Sequence, residues 1–90
     1  MTTLTVFGRR WFDKRAGNTY HSAQIFVDGT LVHTSEMTYG YGDCYLQTAG
    51  EWLEKNGYAP DYKFPLSIWC RERGVTYHYS VADVLRMKDL

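Results

Sequence analysis

Thr19–Val27 alternates His21, Ala23, Ile25 and Val27 with Tyr20, Ser22, Gln24 and Phe26, then runs straight into Asp28-Gly29. Side chains that alternate with a period of two belong to a half-buried strand, and Asp-Gly supplies the two positive φ values of a type I′ hairpin turn. Leu31–Thr34 therefore returns as the antiparallel partner. A two-residue loop sets Ile25 opposite Val32, Phe26 opposite Leu31, Gln24 opposite His33 and His21 opposite Glu36. That register puts the histidines on opposite faces and makes His21 and Glu36 a cross-strand polar pair. Both faces carry apolar groups, and the smoother set, Ala23, Ile25, Val27 and Val32, is favoured as the core face.

The same signals organise the rest of the chain. Leu4–Phe12 mixes β-branched and aromatic residues and reads as a strand, with Gly8 marking a bulge or a close backbone approach. Asp13–Asn18 has turn chemistry. Asp43 is placed to cap a helix in which Tyr45, Leu46, Ala49, Trp52 and Leu53 recur at helical spacing until Asn56-Gly57 closes it. Trp52 and Leu53 should then lie buried against the sheet. Pro65 suits the first turn of a shorter helix with Leu66, Trp69 and Cys70 on one side and Gly74 at its end, although Ser67–Arg71 also reads as a strand. Val75–Val81 alternates again and predicts a final strand. The tail from Asp83 to Leu90 settles no period, so it forms a last helical turn or frays.

These elements make one α+β domain over residues 1–90, an antiparallel sheet of three to four strands with one main helix and a shorter helix packed on one face, in the order β-β-β-α-α-β. Fifteen aromatic residues in 90 supply large buried areas per side chain, enough for a small core without crosslinks. The opening Met-Thr-Thr-Leu-Thr has no signal segment ahead of it, and Cys44 and Cys70 lie in apolar helical patterns, so reduced structural thiols in the cytoplasm are expected. No apolar run has the length of a membrane helix, and no membrane partner is expected.

Net charge is zero, which removes any global electrostatic case for nucleic acid. Its distribution is uneven: residues 1–20 carry four cations against Asp13, and residues 21–62 carry six carboxylates against Lys55. Arg9, Arg10, Trp11, Lys14 and Arg15 interleave charge with large rings, a composition that meets phosphates and stacks on bases but equally anchors protein interfaces. Solvated edge residues over a core aromatic are the plainer reading of that segment. Tyr39, Tyr41 and Asp43 form a second candidate, a Gly/Tyr loop leading into the helix. Its glycine spacing and lack of lysine are not those of a phosphate-binding loop, and the Asp43 carboxylate would itself occupy the N-terminal donors. The histidines sit on different strands or faces and no pair has zinc-ligand spacing, so neither a metal nor another cofactor is implied.

Gly17-Asn18-Thr19-Tyr20-His21, Tyr39-Gly40-Tyr41-Gly42-Asp43 followed by Leu46-Gln47-Thr48-Ala49, and the closing Ser80-Val81-Ala82-Asp83-Val84 and Lys88-Asp89-Leu90 give the chain its resemblance to small uncharacterised proteins encoded by bacteriophages and prokaryotic mobile elements. The resemblance covers most of the chain and transfers no catalytic residues. It implies a protein acting in the host cell cytoplasm by binding a host or phage macromolecule, including as an inhibitor of host defence. The leading expectation is thus a non-enzymatic binding protein with a protein partner, using the basic-aromatic strand and the Gly/Tyr loop. A small RNA- or DNA-binding domain on the same surface is the alternative. A hydrolase or nuclease built from His21 with Asp43 or Glu36 is a third, and a homodimer through an exposed sheet edge stays open.

Overall fold

The computed structural model describes residues 1–90. Strands β1 (Thr3–Asp13), β2 (Asn18–Val27), β3 (Thr30–Thr34) and β4 (Thr38–Tyr39) come first, then helices α1 (Cys44–Lys55) and α2 (Leu66–Arg73), strand β5 (Thr76–Val84) and a 3₁₀ turn at Met87–Asp89. The sheet runs β3-β2-β1-β5, with β4 adding a second short partner to β2. The chain is α+β, as its alternation predicts, with both helices on one face. One pairing departs from the antiparallel expectation: β5 lies parallel to β1, because the chain crosses over through two helices before it returns to the sheet. No helix is long and apolar enough to cross a membrane.

The Asp28-Gly29 turn forms as expected, with φ of 50° and 82° at its two residues. The register beyond it does not. Phe26 pairs with Leu31, but the ladder slips by one so that Ile25 opposes His33 and Gln24 opposes Thr34. The extra residue is Val32, a bulge that turns His33 onto the helix side, where its ring stacks on Trp52 with centroids 4.6 Å apart. Trp52, expected to be buried, is only partly so: it lies between His33 and Tyr58 at the rim of the core.

The core face is the one favoured from sequence. Ala23 and Ile25 of β2 and Leu4 and Val6 of β1 are fully buried beneath Tyr45, Ala49 and Leu53, a stripe recurring every four residues on α1. Gly8 continues the β1 face, and it marks a close approach rather than a bulge, since β1 keeps unbroken register with both neighbours. A Cβ there would sit 2.5 Å from Cδ2 of the Tyr45 ring. The second segment is a helix and not a strand. Leu66, Trp69 and Cys70 turn inward, and Gly74 ends it at φ 68°. Asp61 ties the helix down by accepting from Trp69 Nε1 and pairing with Arg73. Both cysteines are free thiols, and burial pushes that of Cys70 up to about 11, which leaves it protonated and inert.

Candidate functional site

The molecule measures 42 × 22 × 19 Å, and its long axis exists because β1 and β2 outrun the helices. Tyr45, in the first turn of α1, covers Gly8, and Gly42 just before that helix reaches Arg10. Past this point the helix-side face is bare: Phe12 is 53% exposed although its strand neighbours four and six residues earlier are fully buried. Here the chain presents a distal end made of the β1–β2 hairpin, the Tyr41-Gly42 loop and the outgoing end of β5.

Strand alternation divides the basic-aromatic segment between the two faces. Arg10 and Phe12 point to the helix side, and Arg9 and Trp11 to the open side of the sheet. Arg10 is largely committed: Nε donates to Asp83 Oδ1 at 2.9 Å and Nη1 to the Gly42 carbonyl at 3.2 Å, which ties β1, β5 and the Gly/Tyr loop together. Both candidate segments therefore meet in one cleft of about 440 Å³, lined by Arg10, Phe12, Lys14, Thr19, Tyr41, Gly42, Asp83, Val84 and Leu85. On the open side Trp11 stacks on Tyr20 with centroids 5.9 Å apart, and Tyr39 meets the edge of Tyr20. Arg9 reaches the tail, where Nη1 donates to the Asp89 carbonyl at 3.3 Å.

Tyr39 and Tyr41 are exposed, at 65% and 71%. Asp43 stands apart from the other candidates. Its carboxylate makes no capping bond to α1, against expectation, because its backbone (φ −94°, ψ 14°) lacks the extended geometry that aims a capping side chain at the helix donors. It borders a separate recess with Phe64, Pro65 and Tyr79.

Leu85 carries no motif that marks it in the sequence, yet it is the centre of the distal end. It is 94% exposed and borders three adjoining recesses, sharing them with Arg9, Arg10, Lys14, Arg15, Arg86 and Lys88. Six of the ten cations of the chain thus border the same recesses as this solvated leucine, together with the three carboxylates Asp13, Asp83 and Asp89. Arg10 and Arg86 are paired with Asp83 and Asp89, whereas Lys14, Arg15 and Lys88 make no ion pair. The signal was the tail itself: Val84, Leu85 and Met87 follow no period that would bury them together. What concealed it was the parallel docking of β5, which alone brings residues 84–89 beside Arg9 and Arg10.

His21 does not pair with Glu36. It lies opposite Thr38, is 1% exposed, and has both ring nitrogens engaged, Nδ1 with the Gly40 carbonyl at 3.1 Å and Nε2 with Thr48 Oγ1 at 2.7 Å. A carbonyl only accepts, so Nδ1 carries the proton donated to Gly40, and in the neutral ring Nε2 accepts from the Thr48 hydroxyl. Neither Asp43 nor Glu36 touches the ring, so a hydrolytic His-carboxylate pair has no geometry here. No three His, Cys, Asp or Glu side chains converge in a metal-ligating cluster. No protein-family model, no curated protein and no solved structure matches the chain.

Proposed function

We propose that the chain is a non-enzymatic binding protein whose contact surface is the distal end of the sheet, and that its partner is a protein presenting acidic and apolar groups together. The observation that carries this reading is Leu85, solvated amid six cations. Isolated exposed leucines are ordinary, but one that shares a cleft with exposed Phe12 and Tyr41 forms an apolar centre inside a charged rim, the anatomy of a protein interface. Lys14, Arg15 and Lys88, without carboxylate partners of their own, select an acidic counterpart and speed its approach. The phage resemblance fits such a protein acting on a host or phage macromolecule in the host cytoplasm, with inhibition of host defence as one form of that action.

A nucleic-acid partner has one observation in its favour, the Trp11, Tyr20 and Tyr39 rings beside Arg9 on the open face. Trp11 and Tyr20, however, already use ring faces on each other, and aliphatic Leu85 cannot supply the aromatic stack that single-stranded binding relies on. Capture by the immobilised chain from bacterial lysate, with and without nuclease, separates the two. A protein retained equally in both arms is the expected result. Loss of all captured material on nuclease treatment, with gel shifts that weaken steeply as salt rises, would assign the surface to nucleic acid.

A further inference from the structure

The two edges of the sheet are built differently. On the β3 side the edge is broken up, since β3 has five residues and a bulge and β4 has two. Short strands and bulges are how proteins discourage another chain from adding to an edge. On the other side β5 runs nine residues in unbroken register with β1, and nothing in the chain hydrogen-bonds to its outer edge. It contains no lysine, arginine, proline or glycine, the residues that ordinarily guard such an edge. On its helix side stand Phe64 and Tyr79, exposed at 59% and 56%.

We infer that the outer edge of β5 pairs antiparallel with β5 of a second copy of the chain, about a two-fold axis at Ser80, joining two sheets into one. The strand is complementary to itself in that arrangement. Its only permanently charged residue, Asp83, meets Tyr77 of the other copy and never another Asp83, so no like charges face each other. Tyr79 lies opposite Val81, which covers the exposed ring with an apolar neighbour. A two-fold contact uses the same patch on both copies, as closed homodimers do. This inference rests on the strand edge and not on Leu85, although the pairing sets Thr76 of the other copy opposite Val84, next to the distal end.

Sedimentation equilibrium of the full chain tests it together with two variants. The expected mass is twice the 10.5 kDa of one chain, returning to one chain in Tyr79→Lys, which places a charge in the joint at a solvent-exposed position. Ser80→Cys is expected to give a disulfide-linked dimer on mild oxidation, because only position 80 faces itself across the axis, and His78→Cys is not. Should Tyr79→Lys fail to fold, the contrast between the two cysteine variants decides alone. A monomer at high micromolar concentration, a dimer indifferent to Tyr79→Lys in its folded form, or equal crosslinking of Ser80→Cys and His78→Cys would each overturn the pairing.

Discussion

Tyr45→Ala is expected to lower stability by about 3–5 kcal/mol, the range for removing a large buried ring. Tyr45 is 1% exposed and lies directly on the Gly8 backbone, so its loss opens a cavity between α1 and the centre of the sheet that neighbouring backbone cannot close. For a domain whose total stability is roughly 5–15 kcal/mol, that is a large fraction. Gly8→Ala probes the same contact from the other side, and its Cβ overlaps the ring and should cost about 1–3 kcal/mol. The two are not additive. With the ring gone, alanine at position 8 has room, so Gly8→Ala on a Tyr45→Ala background should cost much less than it does alone. Urea unfolding of the four chains measures this, and fully additive losses would mean that the ring does not rest on Gly8.

His21→Ala is expected to cost about 2–4 kcal/mol, combining a cavity with the buried Gly40 carbonyl left without its donor. The ring bridges the loop before α1 to the middle of that helix, and Gly40 is further held by its N–H donating to the Thr19 carbonyl at 3.0 Å. Loss of the bridge should therefore also raise hydrogen exchange at the Gly40 amide. A variant that unfolds at the wild-type urea concentration, with unchanged exchange there, would contradict the bridging role.

Local chemistry made much of the fold readable. The β2–β3 hairpin is specified by alternation and Asp-Gly, and α2 by Pro65 and Gly74 with three inward residues between them, signals that act within a few residues of one another. What escaped depends on distant parts of the chain. The bulge at Val32 goes together with the stacking of His33 on Trp52, a contact between a strand and a helix about twenty residues further on that no alternation rule contains. The burial of His21 depends on Gly40 and Thr48 arriving together over one end of β2, so a residue that reads as a polar edge group becomes a bridge inside the core. Of the candidate surface, Arg9, Arg10, Trp11, Lys14, Arg15, Tyr39 and Tyr41 gather at or near the distal end, and Asp43 falls elsewhere. Leu85, Arg86 and Lys88 join them only because β5 runs parallel to β1, a pairing that follows from the crossover and not from the composition of either strand.

A distal end that serves binding and not folding tolerates a charge at its centre without loss of stability. Leu85→Asp tests this most directly, since a side chain 94% exposed contributes almost nothing to the core while a carboxylate there reverses both the apolarity and part of the charge of the patch. Thermal unfolding and capture from lysate are to be measured side by side on Leu85→Asp and the unmodified chain. An unchanged midpoint and at least a tenfold loss of the captured protein are expected, the effect of removing about 1.4 kcal/mol of binding free energy. Undiminished capture by a folded Leu85→Asp chain would contradict the binding role of this surface.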